Sequence, residues 1–242
     1  MSEAAPVVGV MGGMGPAATV EFQRRLLAAT PAADDAGHAH VIVDNDPTVP
    51  SRIRALIDGD GTDPAPALAA MARRLEAAGA DFLVMPCNTA HHYLPAIEAA
   101  VSVPVWDLVG ITLARVAAEA GRNATVGLLA SPALRRIGLY EQQAGRRGMR
   151  LLYVADEAPL LAVIHAVKAD RAGPDERAAL AGAAEELVAT GAGGLVLACT
   201  EFSLLRDALG EIAVPVVDSL QALAEATAAA VAAGRVEPAA PA

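Results

Sequence analysis

Two stretches carry reactive groups in matching settings. Ala80-Asp-Phe-Leu-Val-Met-Pro-Cys-Asn-Thr-Ala-His91 and Gly193-Gly-Leu-Val-Leu-Ala-Cys-Thr-Glu-Phe202 are short apolar runs, each ending in cysteine with threonine close behind. Cys87 and Cys199 are the only cysteines of the chain. Taken singly, each reads as a buried thiol packing as a small hydrophobe. Taken together they have two further readings, a disulfide or a pair of reactive groups facing one another across a cleft. The polar residues that follow, Asn88-Thr89 and Thr200-Glu201, suit chemistry at a strand end and are of no use to a packing cysteine. The thiolate is the reactive form, and a strand end beside helix N-termini lowers a thiol's pKa. Zinc fits poorly, since the two cysteines lack C-x₂-C spacing, and no metal is expected.

The elements that must position these groups repeat. Val7-Val-Gly-Val-Met11 reads as a strand closed by Gly12-Gly-Met-Gly-Pro16, with Pro16 in the first turn of a helix over 17–29. Val41-Ile-Val43 is a strand leading into the loop Asp44-Asn-Asp-Pro-Thr-Val-Pro-Ser-Arg52. A helix over 64–78, a strand over 82–85, a helix from about Tyr93 and the strand Val103-Pro-Val-Trp106 follow. The pattern then restarts: strands at 125–129 and 151–154 with one helix through Leu139 and Tyr140 between them, helices around Ile164 and over 174–190, and strands at 195–197 and 214–217. A last helix runs through the alanine-rich tail. The halves align at offsets of 118 for the first strand (127 − 9), 112 for cysteine (199 − 87) and 111 for Val-Pro-Val (214 − 103). Such a repeat predicts an α/β protein of two pseudo-symmetric domains, each a parallel sheet flanked by helices. We place them at 1–108 plus 217–242 and at 109–216. Right-handed crossovers bring Gly12–Pro16, Arg52, Cys87 and Cys199 to the C-terminal strand edges, where such folds bind ligands.

Composition narrows the partners. A net charge of −10 argues against nucleic acid and anionic membrane surfaces. The start Met-Ser-Glu-Ala-Ala-Pro lacks a basic region and an apolar core, and Glu225 and Arg235 interrupt the alanine-rich tail, so neither an export signal nor a membrane span is expected. The expectation is a soluble cytoplasmic protein, with thiols reduced rather than bridged.

Other residues carry rival readings. Gly13-Met-Gly-Pro-Ala-Ala18 fits the dinucleotide pattern and Asp44 ends the next strand, yet a helix N-terminus after a glycine turn also takes a substrate carboxylate. Lys168, the only lysine, is the one candidate for a pyridoxal Schiff base, or else a solvated helix end. Arg52 is a surface charge or a carboxylate clamp, a task its planar fork suits. His91 orients or protonates the nearby thiol, or merely caps a helix.

Together, Gly12-Gly-Met-Gly-Pro16 with Thr19, Asn45-Asp-Pro-Thr-Val-Pro-Ser-Arg52, Pro86-Cys-Asn-Thr-Ala-His91, Lys168 and Cys199-Thr-Glu201 resemble the aspartate/glutamate racemase family, most closely its aspartate branch. The resemblance runs from Val7 to about Asp218. It implies a cofactor-independent amino-acid racemase, commonly a homodimer, with its site between the two domains and an acidic amino acid as substrate. It assigns Cys87 and Cys199 as the two catalytic bases. Arg52 and Lys168 contact carboxylates, and Asn88, Thr89 and Thr200 hold the α-carboxylate and amino group. Met14 and Ser131 complete the substrate-binding set, and His91 and Glu201 are auxiliaries. Aspartate is the first expectation and glutamate the second. The alternatives are another small carboxylate or a hydantoin, or a non-catalytic dicarboxylate-binding protein.

Overall fold

In the computed structural model, which describes residues 5–238, short buried β-branched runs pair as parallel strands. Strands β1 (Val8–Gly12), β2 (Val41–Asn45) and β3 (Phe82–Val84) form one sheet in the order β2-β1-β3. Strands β4 (Thr125–Leu129), β5 (Arg150–Leu152), β6 (Gly194–Leu197) and β7 (Val216–Asp218) form a second in the order β5-β4-β6-β7. The sheets are the same motif twice. The expected fourth strand of the first half, Val103–Trp106, is reduced to one parallel bridge between Leu83 and Val105, with the Trp106 N–H donating to Leu83.

Helices α1 (Pro16–Ala29), α2 (Ala65–Ala77), α3 (Leu94–Glu98) and α4 (Leu108–Glu119) belong to the first repeat. The second contains α5 (Pro132–Ile137), α6 (Leu139–Arg146), α7 (Ala158–Lys168), α8 (Pro174–Ala189), α9 (Thr200–Ser203) and α10 (Ser219–Ala232). The single helix expected through Leu139 and Tyr140 is two, because Gly138 turns left-handed between α5 and α6 at φ 64°. Asp107 and Asp218, the matched ends of the two Val-Pro-Val segments, each cap the next helix, accepting from the Val109 N–H and the Leu220 N–H.

Both faces of each sheet are covered, as parallel sheets require. On the first sheet, Phe22 and Leu26 of α1 and Leu220 and Leu223 of α10 meet Val8, Val10 and Val84 on one side. Leu68, Met71 and Leu75 of α2 meet Met11 and Leu83 on the other. On the second sheet, α7 and α8 pack Ile164, Leu180 and Leu187 onto Leu195 and Leu197, while α4 and α6 pack Val109, Leu113 and Tyr140 onto Val126, Leu128 and Val196. Thus α10 returns to the first sheet after β7 has joined the second. Among the described residues no helix is long and apolar enough to cross a membrane.

Candidate active site

The loops leaving the strand ends converge on one cavity. Met14 comes from the turn after β1, Ser51, Arg52 and Ile53 from the segment after β2, and Cys87, Asn88 and Thr89 from the turn after β3. The second repeat supplies Ser131 after β4, Ile164 and Lys168 from α7, and Cys199, Thr200 and Glu201 after β6. The cavity measures about 30 Å³, room for little more than water. A larger cleft of about 810 Å³ shares Ser51, Arg52, Lys168 and Glu201 with it, so these side chains form the partition between the two. The halves touch across the site where the Thr89 and Ser131 hydroxyls lie 3.3 Å apart.

Gly13 shapes the first-half wall. Its φ is +89°, and a Cβ there would run into the Asp46 peptide, so only glycine lets this turn lie against the 44–52 loop. Arg52 lies at the far end of that loop, buried at 8% exposure, and its guanidinium donates to the carbonyls of Val49 (3.2 Å), Pro50 (2.8 Å) and Met14 (3.2 Å). These bonds hold the group in place without neutralising it, and no ion pair to Arg52 is found among the described residues. A buried guanidinium lacking a counter-charge is costly unless an anion binds beside it.

The second-half wall is organised by Glu201. Its Oε2 accepts from the Cys199 thiol at 2.9 Å, and its Oε1 lies 3.3 Å from the Lys168 ammonium, an ion-pair distance rather than a directed hydrogen bond. Burial pushes the Cys199 thiol well above its ordinary pKa, and the Glu201 charge and the bond to it push the same way, partly offset by Lys168. Burial works against the Lys168 ammonium, but Glu201, Cys199 and Cys87 together outweigh it and hold its pKa above the usual lysine value. A lysine poised for Schiff-base chemistry needs the opposite shift. Cys199 therefore rests as a thiol and Lys168 as a cation.

His91 is placed elsewhere. The Leu108 N–H donates to its Nε2 at 3.1 Å, which assigns the proton to Nδ1, 2.8 Å from the Cys87 carbonyl; Nε2 also lies 3.3 Å from the Trp106 carbonyl. Burial pulls its pKa below 6.5, so the ring is neutral near pH 7. It lines neither the cavity nor the cleft. Its contacts fix the Cys87 main chain against the start of α4. Asp44, the acid that a dinucleotide reading would bring to a ribose, is ion-paired to Arg74 at 2.7 Å.

Three wall residues escaped the sequence reading: Ser51, Ile53 and Ile164. Ile164 had a signal, since it precedes Lys168 by one helical turn on α7 and shares its face. Tyr140 and Ser219, which support Asn88 from behind, had none that pointed to a site.

Known proteins share this fold. The model of the family described as Asp/Glu/Hydantoin racemase matches residues 11–227. The broad specificity amino-acid racemase RacX of Bacillus subtilis (strain 168) is 26% identical over 226 residues, 91% of this chain and 96% of that protein. An aspartate racemase from Picrophilus torridus superposes with a TM-score of 0.78 at 29% identity, covering 95% of this chain and 94% of that one. A glutamate racemase from Campylobacter jejuni subsp. jejuni shares the fold, with a TM-score of 0.64 at 21% identity over 90% of this chain and 83% of its own.

Proposed function

The chain belongs to the Asp/Glu/hydantoin racemase family, and we propose that it interconverts the enantiomers of an acidic amino acid by a two-cysteine, two-base reaction that needs no pyridoxal phosphate. Aspartate is the first substrate and glutamate the second. The observation that carries this reading is that Cys87 and Cys199, one from each repeat, line a single cavity whose partition holds Arg52 and Lys168.

Racemisation removes the Cα proton on one face and returns a proton on the other. Two fixed groups do this without swinging around the substrate, and a pseudo-two-fold fold supplies them. Cys199, held as a thiol, supplies the acid, which leaves the part of base to Cys87. The Cα–H bond breaks toward the Cys87 sulfur as the Cys199 proton moves to the opposite face of Cα, leaving a Cys87 thiol and a Cys199 thiolate. Solvent exchange or the reverse reaction restores the starting form. Charge that builds on the α-carboxylate is met by donors from Asn88, Thr89, Ser131 and Thr200, whose value lies in being fixed before the reaction. The distal carboxylate sits by Arg52 and Lys168. Glu201 cancels one of those two positive charges, so the partition presents a net single charge, matched to one side-chain carboxylate. The enantiomers are equal in free energy in water, so kcat/KM is the same in both directions at every pH, and any asymmetry between the cysteines appears in kcat and KM separately. A homodimer belongs to the same proposal, with scattering mass as its check.

The test is incubation in D₂O without pyridoxal phosphate. L-aspartate is expected to lose optical activity and gain deuterium at Cα. Absence of exchange with aspartate, glutamate and a panel of other amino acids would sink the reading, and tight dicarboxylate binding without exchange would make the protein a binder. Cys87→Ser and Cys199→Ser are each expected to lower racemisation about 100- to 10,000-fold, the usual contribution of a positioned acid or base, with the thermal midpoint little changed. One observation favours a wider substrate range: the 810 Å³ cleft beyond the partition leaves room for a longer side chain, and RacX is a broad-specificity enzyme. Exchange across many amino acids in the same panel would select that reading.

A further inference from the structure

On the reading that the chain is a two-cysteine racemase, we infer that Tyr140 is a positioning residue which, with Ser219, holds the Asn88 amide as a fixed hydrogen-bond donor to the substrate's α-carboxylate. Tyr140 lies on α6 of the second repeat, and its ring is completely buried among Val109, Leu113, Leu128 and Leu134. A phenol in such a place must give its O–H a partner. That partner is across the junction of the repeats: Tyr140 donates to Asn88 Oδ1 at 2.7 Å. Burial raises the phenol's pKa, a hydrogen bond with the Thr112 side chain opposes the shift, and Asp107, Cys199 and Asp218 add to it, so the group stays protonated near neutral pH. On its other side the Asn88 Nδ2 donates to Ser219 Oγ at 2.9 Å, in the first turn of α10.

An asparagine amide has two donors and two acceptors. Tyr140 takes one acceptor site and Ser219 one donor, which sets the plane of the amide and the end at which its nitrogen lies. Among the described residues one N–H is left over, and Asn88 lines the cavity beside Cys87. A carboxylate is the substrate group that complements a lone N–H of this kind, and a donor that cannot rotate is worth most where charge develops during the reaction.

The same buried network reaches the other cysteine. Ser219 follows Asp218, whose Oδ1 accepts from Ser203 Oγ at 2.6 Å, and Ser203 ends α9, the helix that Cys199 precedes. The residue after Cys87 and the helix after Cys199 are thereby tied to one chain corner. Tyr140 contributes to that tie without lining the cavity.

Because Tyr140 acts through Asn88, a double-mutant cycle on racemisation tests the idea. Tyr140→Phe is expected to reduce kcat/KM on the order of tenfold, the scale of one lost hydrogen bond to a buried group, with its thermal midpoint close to wild type. Asn88→Ala is expected to lose more, and Tyr140→Phe added to Asn88→Ala to lose nothing further. Additive losses, or full activity in Tyr140→Phe, would overturn the inference. If Tyr140→Phe does not fold, Ser219→Ala takes its place in the cycle with the same expectations. Should the wild-type protein racemise nothing, the racemase reading fails by itself. The cycle is then run on calorimetric binding of aspartate, where additive losses, or wild-type affinity in Tyr140→Phe, would again overturn the Tyr140 assignment.

Discussion

Glu201 sits between an ammonium and a thiol, and its charge acts on both. It raises the pKa of Lys168 and of Cys199, the first by pairing with a cation and the second by opposing an anion. Glu201→Gln keeps a hydrogen-bond acceptor near the thiol but removes the charge, so the Cys199 thiolate becomes easier to form. In a Cys87→Ser background, where Cys199 is the one remaining thiol, ultraviolet titration is expected to place its midpoint above the ordinary value of 9.0. Adding Glu201→Gln moves that midpoint to lower pH. An unchanged midpoint would remove Glu201 from control of the thiol. In the proposed racemisation, the same substitution is expected to shift the alkaline limb of the kcat profile downward in pH, because the acid form of Cys199 is lost sooner.

At the scale of elements, the repeat extends beyond the cysteines to the packing beneath them. A Cβ on Gly9 would lie 2.5 Å from a Leu83 methyl and 2.8 Å from Ala80; on Gly127 it would lie 2.7 Å from Leu195, 2.9 Å from Leu187 and 3.2 Å from Ala192. Leu83 and Leu195, Ala80 and Ala192, and the cysteines themselves share one offset of 112 (195 − 83, 192 − 80, 199 − 87). Each half thus uses a bare strand position to let the strand carrying cysteine, and the turn before it, pack closely. Gly9→Ala and Gly127→Ala are each expected to destabilise the protein by about 1–3 kcal/mol through overpacking, measured by chemical denaturation. Neutral substitutions would mean that the leucine methyls swing aside freely. This much of the design is legible in the sequence because strands and their closing residues are local and the repeat prints them twice. The reduced strand at Val103–Trp106, the break at Gly138 and the π-helical turn over Arg54–Asp58 are not, since they depend on what lies alongside. The cavity divides in the same way. Met14, Arg52, Cys87, Ser131 and Cys199 follow from strand ends, and Lys168 closes a helix. Tyr140 reaches Asn88 through a tertiary contact between residues 52 positions apart, with no periodic signal to mark it.

For the whole molecule, the question is what keeps two similar halves in one fixed relation, since the proposed two-base reaction fails when the bases drift apart. The chain answers by crossing back: α10 packs on α1 and the first sheet directly after β7 has joined the second. At that crossing Arg25 of α1 donates to Asp218 at 2.5 Å and to the Ser203 carbonyl at 2.7 Å, with the arginine and aspartate side chains only 9% and 6% exposed. Burial disfavours the guanidinium, and Asp218 and Glu21 together more than restore it. The pair joins α1 to the residue that caps α10 and to the end of α9. Removing one partner of such a pair leaves a buried charge alone, at a cost of about 3–5 kcal/mol, whereas removing both charges leaves none. Arg25→Met is therefore expected to destabilise by about that amount in denaturant, and adding Asp218→Asn, which keeps a helix-capping oxygen, recovers part of the loss. Racemisation in Arg25→Met, measured well below its unfolding transition, is expected to fall further than Cα deuterium exchange. In the proposed reaction, abstraction and return on one face need a single cysteine, and inversion needs both in register. Equal losses in the two assays would show that the crossing stabilises the fold without setting the separation of the thiols.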